Sequence, residues 1–136
     1  MRQGLRALLV VGAIAASACG VPSGISSIEV ELSEFGIDSS QRSFDAGPLR
    51  LTVVNTGEDP HTLVVTGETG EVIIATDLIA PGASVELELD LKPDTYQLTC
   101  RIVTQTEDGT LIDHFQEGMH TKIEGRARPS DPTPTS

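Results

Sequence analysis

Apolar and polar residues alternate along several short segments of the chain, and this period of two predicts strands with one buried face. In residues 27–33 the apolar side chains are Ile28, Val30 and Leu32, and the glutamates between them point the other way. The same alternation occurs in four further segments: residues 49–55, 61–65, 84–90 and 95–103. Turn-forming residues lie between segments, at 55–60, 81–84 and 92–95.

Short strands separated by turns are typical of all-β proteins, and no segment beyond the N-terminal region shows the 3.6-residue period of an amphipathic helix. The pattern therefore predicts a single antiparallel β-sandwich or barrel with Greek-key connections. We expect this domain to occupy residues 28–124, after a short tether at 19–27. Residues 125–136 are polar and rich in proline, which predicts a disordered tail.

The first 18 residues have the composition of a secretory signal peptide, with two arginines, an apolar run at 7–16 and small residues before Cys19. The apolar run is too short to span a bilayer permanently. The segment Ala-Ser-Ala-Cys at 16–19 resembles the lipobox of bacterial lipoproteins. This resemblance implies cleavage before Cys19, lipid attachment to its sulfur, and an exported protein that is anchored on the outer face of the cytoplasmic membrane or faces the periplasm. A plain signal peptide with an incidental cysteine is the alternative.

The charge balance excludes one class of partner. Two of the nine basic residues lie in the first 18 positions, which leaves seven against 20 acidic residues and a formal charge of −13. Such a surface repels nucleic acid, so we expect no DNA or RNA partner. It favours cationic partners without identifying one.

The second cysteine needs an explanation. If Cys19 carries lipid, Cys100 has no disulfide partner, and an exported free thiol is reactive unless it is buried or binds metal. Strand parity places Cys100 on the same face as Leu98, and His61 on the same face as Leu63. An inward-facing histidine needs a hydrogen-bond partner or a metal. The parity therefore leaves two interpretations of each residue: a buried packing residue or a metal ligand.

Three segments, in order, resemble the cupredoxins, the small blue-copper proteins. They are LRLTVVNTGEDPHTLVV at 49–65, LIAPGASVELELDLKPDTYQLTC at 78–100 and HFQEGM at 114–119. The resemblance covers about residues 28–124. It implies one type 1-like copper ion with the ligands His61, Cys100, His114 and Met119, and it places Asn55 at the end of the strand before the first ligand.

The resemblance also implies a function. A thiolate and two imidazoles with a weak thioether suit both Cu(II) and Cu(I), so the protein would be a one-electron carrier and not an enzyme. Three histidines are too few for a multicopper oxidase. We expect a monomer that meets a membrane-associated redox or copper-handling protein. Copper capture and delivery, or a metal-free binding module at the cell surface, are the alternatives.

One segment departs from the cupredoxin pattern. Thirteen residues, 101–113, separate Cys100 from His114, where small cupredoxins usually have only a few. Residues 104–110 predict an inserted turn or hairpin tip, with the strand from Thr95 continuing past Cys100 and residues 110–114 returning beside it. Further candidates beside the metal are Asn55, Phe115 and His120: His120 is an alternative ligand, and Phe115 either forms a docking surface or closes the barrel end.

Overall fold

A computed structural model describes residues 24–129. The predicted signal peptide, Cys19 and residues 130–136 lie outside the described residues. Within them there are eleven strands and no α-helix, and hence no helix suited to crossing a membrane. The strands are β1 (Ser26–Ser33), β2 (Gly36–Ser39), β3 (Ser43–Asp45), β4 (Gly47–Asn55), β5 (Val64–Thr66), β6 (Val72–Ala75), β7 (Ser84–Leu91), β8 (Asp94–Thr99), β9 (Val103–Gln105), β10 (Leu111–Asp113) and β11 (His120–Arg126).

Two sheets pack face to face, with the orders β2-β1-β4-β7 and β3-β11-β8-β5-β6, while β9 and β10 form a separate hairpin. This arrangement confirms the predicted all-β sandwich. Most neighbouring strands are antiparallel, but β1 pairs with β4, and β3 with β11, in parallel. These two parallel pairs are the exceptions to the antiparallel pairing in the sandwich. The chain crosses between the sheets through β3 before it returns beside β1, so a parallel neighbour becomes possible without a long crossover.

The sequence alternation corresponds closely to burial. Ile28, Val30 and Leu32 of β1 are at most 1% exposed, and the glutamates between them face solvent. Each fully buried aliphatic side chain contributes roughly 1.5–3 kcal/mol to folding. In β7, at the edge of its sheet, the inward residues Val85, Leu87 and Leu89 are only partly buried, and Leu91 at the strand end is buried. The central strands therefore supply most of the apolar core between the sheets.

The ordered strands extend beyond the domain bounds expected from the sequence. β1 begins at Ser26, and β11 continues to Arg126, so residues 125–126 belong to a strand and not to a tail. Alternation did not reveal this because Gly125, which is buried, has no side chain; a Cβ there would come within 2.9 Å of the Phe44 ring. Beyond the strand, Arg128 Nε donates a hydrogen bond of 2.8 Å to the backbone between β3 and β4.

Candidate metal centre

Cys100 lies directly after β8 and is completely buried. Its backbone N–H donates to the carbonyl of Met119, at 3.1 Å. The strand that we predicted to continue to residue 103 ends at Thr99, because the chain leaves the sheet here to enter the β9–β10 hairpin. Cys100 nevertheless points inward, as its position in the alternation predicted, and its sulfur faces the interior at one end of the sandwich.

His61 follows the turn after β4 and is also completely buried. Its backbone is fixed by two hydrogen bonds with Ile79, at 3.1 and 2.8 Å. The buried side chain of Asn55 organises this turn: its Nδ2 donates to the carbonyls of Asp59 (2.8 Å) and Ile79 (2.9 Å), and its Oδ1 accepts from the N–H of Gly57 (2.9 Å). Asn55 therefore positions the histidine through the backbone and not by direct contact with it.

His114 and Met119 bracket a tight loop that begins where β10 ends. The Asp113 carboxylate accepts a hydrogen bond from the N–H of Phe115 (3.0 Å) at the start of the loop. At its end, the N–H of Met119 donates to the carbonyl of His114 (2.9 Å). Gly118 has a φ of 117°, a conformation that side chains rarely permit. This closure places Met119, which is completely buried, beside both Cys100 and His114.

Three of the four predicted ligands form a compact triangle of donor atoms. The Nδ1 atoms of His61 and His114 are 3.3 Å apart, and Cys100 Sγ lies 4.0 Å from the first and 3.9 Å from the second. A point equidistant from all three would be about 2.2 Å from each, close to the metal–nitrogen and metal–sulfur distances of about 2.0–2.3 Å known for zinc sites. The triangle therefore fits a single transition-metal ion.

The type of donor narrows the choice of metal. One thiolate, two imidazoles and an adjacent thioether residue are the donor set of a type 1 copper site. The three principal donor residues are buried and lie in one group, and Met119 is buried next to them. The arrangement thus matches a type 1 copper site in both composition and burial.

Two of the other candidates lie away from the donor triangle. His120 begins β11 and is exposed, because strand parity turns it outward while Met119 points inward. Its ring packs on Phe115, with 5.2 Å between centroids. The guanidinium of Arg101 lies over the Phe115 ring, 4.3 Å from its centroid. The structure therefore does not bring His120 into the donor group, and Phe115 packs in a cluster with His120 and Arg101.

His61 faces a carboxylate on the side opposite the triangle. Its Nε2 lies 3.6 Å from Oε1 of Glu34. Burial lowers the pKa of His61, and the neighbouring His114 lowers it further. The pKa of the Glu34 carboxyl is also lowered, chiefly by the backbone N–H of Asp59, which donates to it at 3.0 Å. At neutral pH, the ionised carboxylate of Glu34 therefore lies beside the neutral, buried imidazole of His61.

The side chains that contact the outer part of the His114 ring, Thr104 and Phe35, are uncharged. Nε2 of His114 lies 3.2 Å from the hydroxyl oxygen of Thr104, on β9, and the ring of Phe35 meets the imidazole edge-on, with 5.5 Å between centroids. The inserted hairpin predicted from residues 104–110 is present as β9 and β10, with Thr104 paired opposite Ile112. This hairpin covers the outer edge of the imidazole, and His114 is only 1% exposed.

Four residues beside the centre were not predicted from the sequence. Besides Glu34, Phe35 and Thr104, the hydroxyl of Thr62 lies 3.9 Å from Cys100 Sγ. Glu34 and Phe35 form the two-residue turn between β1 and β2. The end of the alternation at Ser33 could have indicated a turn, but the direction in which its side chains point depends on how the sheets pack.

No protein-family model and no curated protein sequence matches the chain. Solved structures do match it. Auracyanin from the photosynthetic bacterium Roseiflexus castenholzii aligns with a TM-score of 0.55 and 20% identity, over 78% of this chain and 99% of auracyanin. The copper protein rusticyanin aligns with a TM-score of 0.58 and 16% identity, over 76% of this chain and 79% of rusticyanin.

A multicopper oxidase aligns with a TM-score of 0.52 and 18% identity, over 80% of this chain but only 45% of the oxidase. At these identities the likeness concerns the fold. The chain therefore has the cupredoxin fold, and its buried Cys–His–His group occurs within that fold.

Proposed function

We propose that this protein binds one copper ion through His61, Cys100 and His114, with Met119 as a weak axial ligand, and carries single electrons outside the cytoplasm. The observation that supports the proposal most strongly is the buried triangle of one sulfur and two nitrogen atoms, with sides of 3.3, 3.9 and 4.0 Å. The similarity of the fold to the copper protein rusticyanin adds support.

Copper bound there would supply a Cu(II)/Cu(I) couple, since sulfur suits the reduced ion and imidazole the oxidised one. Hydrogen bonds within the chain hold the donor residues in place. Two hydrogen bonds fix the backbone of His61 to Ile79, and one links the backbones of Cys100 and Met119. Because the donors are already held in this way, the oxidised and reduced sites can share one geometry, which is what rapid electron exchange requires.

The proposed location depends on residues 1–19. We propose that a lipid on Cys19 keeps the protein on the outer face of the cytoplasmic membrane, where it would meet a membrane-associated redox protein. The formal charge of −13 without the first 18 residues supports a partner with a basic surface, because opposite charges accelerate encounter. We propose no catalytic activity.

Burial favours electron transfer over copper delivery. His61, Cys100 and Met119 have no exposed surface, and His114 has 1%. Handing copper to an acceptor requires an incoming ligand to reach the metal, whereas an electron can leave through a closed shell.

The two functions can be separated with residues 20–136, loaded with copper and cycled between oxidant and reductant beside a Cu(I) chelator. An electron carrier retains its copper through repeated cycles. Loss of copper to the chelator within the first reduction would instead favour delivery, and failure of the chain to take up copper would leave the metal-free binding module.

A further inference from the structure

The turn between β1 and β2 contacts both histidines of the metal centre. It consists of Glu34 and Phe35 alone. The Glu34 carboxylate lies 3.6 Å from Nε2 of His61, while the Phe35 ring meets the ring of His114 at an interplanar angle of 75°. The two side chains of this turn therefore contact two different proposed ligands, in addition to connecting the strands.

The backbone of this turn is held in an unfavourable conformation. Phe35 has a φ of 60°, the only positive value among the non-glycine residues described, and bulky residues rarely adopt it. The Glu34 carboxylate accepts hydrogen bonds from the backbone N–H groups of Glu58 and Asp59, which ties the turn to the segment preceding His61. Strain of this kind persists where surrounding contacts enforce it, and such places are often functional sites.

The outer nitrogen of His61 is buried, and within residues 24–129 it has no partner at hydrogen-bond distance. The Glu34 carboxylate is 3.6 Å away, slightly beyond that distance, so it faces this nitrogen without forming a full hydrogen bond with it. A buried N–H without an acceptor is costly, so a proton on Nε2 would be drawn towards the carboxylate. The inner nitrogen, Nδ1, faces His114 Nδ1 at 3.3 Å.

We propose that Glu34 is a positioning residue that keeps the proton of His61 on Nε2, so that Nδ1 is free to bind copper, and that its negative charge favours Cu(II) over Cu(I). The proposal rests on the proposed copper function. A carboxylate behind a ligating imidazole fixes the tautomer and strengthens the ring as a donor. A stronger donor and a nearby negative charge both stabilise the ion of higher charge. His114 has only a hydroxyl in the corresponding position.

The first part of the proposal can be tested without copper. Nitrogen-15 NMR of the metal-free protein distinguishes a proton on Nε2 from one on Nδ1. We expect the Nε2–H tautomer for His61. A His61 with its proton on Nδ1, shared with His114, would overturn the tautomer assignment whether or not the protein binds copper.

The second part compares Glu34→Gln with Glu31→Gln in the copper-loaded protein. Both variants lose one negative charge from the same region, but Glu31 is an exposed residue of β1 on the solvent side. For Glu34→Gln we expect about tenfold weaker Cu(II) binding, a smaller change in Cu(I) binding, a more positive reduction potential and a retained visible copper band. Glu31→Gln should leave all four unchanged.

Three results would contradict this part. Equal losses of Cu(II) and Cu(I) affinity in Glu34→Gln would mean that the carboxylate only supports the fold. An equal shift in Glu31→Gln would mean that overall charge and not position sets the potential. A wild-type chain that binds no copper would overturn the proposed function itself, while the tautomer measurement would still report separately on the contact between Glu34 and His61.

Discussion

Both imidazoles of the centre are buried, but the groups that contact them on the side away from the donor triangle differ. His61 stands on a backbone fixed within the sandwich and faces the charged Glu34. His114 stands on a loop between β10 and β11 and faces the neutral Thr104 and Phe35. We infer that Glu34, on the His61 side, shifts the balance between Cu(II) and Cu(I) at the proposed site. On the other side, the β9–β10 hairpin shields His114 from solvent.

The largest loss of copper affinity is expected when each imidazole is removed in turn. His61→Ala and His114→Ala should each weaken Cu(II) binding by more than about 100-fold, because loss of a direct ligand exceeds the effect of losing an outer partner. Competition with a chelator measures the change. His120→Ala is the matched control, since its exposed ring lies outside the triangle. A similar loss in His120→Ala would contradict the assignment.

Substitutions at two glycines can distinguish an effect on the stability of the sandwich from an effect on the geometry of the site. Gly118 has a φ of 117°, and a Cβ there would come 3.3 Å from the carbonyl oxygen of Phe35. Gly118→Ala should lower the free energy of unfolding by about 1–3 kcal/mol and also weaken copper binding, because the loop bearing His114 and Met119 must shift.

Gly125→Ala is the companion variant, since its Cβ would meet the Phe44 ring at 2.9 Å, in a strand pair whose other end adjoins Cys100. We expect a similar loss of about 1–3 kcal/mol from overpacking, with copper affinity unchanged. Urea unfolding of the metal-free proteins and copper titrations measure the two effects. Equal loss of copper affinity in both variants would show that the site merely follows global stability.

The lowered pKa of His61 predicts a dependence on pH in the metal-free protein. Burial lowers the pKa in the folded state, so below about pH 6.5 the unfolded chain binds a proton that the folded chain does not. The free energy of unfolding should therefore fall as pH decreases from 6.5 towards that lowered pKa, by at most about 1.4 kcal/mol per pH unit from this residue. Urea midpoints of the wild type and His61→Leu provide the measurement; an identical pH dependence in both would contradict the assignment.

The smallest expected effect concerns the sulfur. The Thr62 hydroxyl lies 3.9 Å from Cys100 Sγ, and a hydrogen bond to a thiolate withdraws charge from it. Thr62→Val should make the sulfur a stronger donor and the reduction potential less positive, with a change of about two- to tenfold in the ratio of Cu(II) to Cu(I) affinity. This direction is opposite to that expected for Glu34→Gln, so shifts of the same sign would argue against one of the two roles.

The sandwich was largely predictable from the sequence, and the surroundings of the metal were not. Alternation showed which faces of β1 and β4 are buried because each strand carries its own period-two pattern. The same parity predicted that His61 and Cys100 point inward, and both are buried. Glu34 and Thr104 belong to a turn and an inserted hairpin, where the direction of a side chain depends on tertiary contacts that no local pattern records.

The ends of the ordered region show the same limit. Gly125 lies in a buried strand position without an apolar side chain, and Arg128 binds backbone far away in sequence. Polar composition alone therefore placed the boundary of the domain too early. Where burial depends on backbone packing, hydrophobic pattern gives no signal.

The visible absorption spectrum of residues 20–136 during a Cu(II) titration tests the central claim most directly. We predict an intense thiolate-to-copper charge-transfer band that saturates at one copper per chain and is absent from Cys100→Ser. A folded wild-type protein that remains colourless, or a band that persists in Cys100→Ser, would contradict a copper centre built on His61, Cys100 and His114.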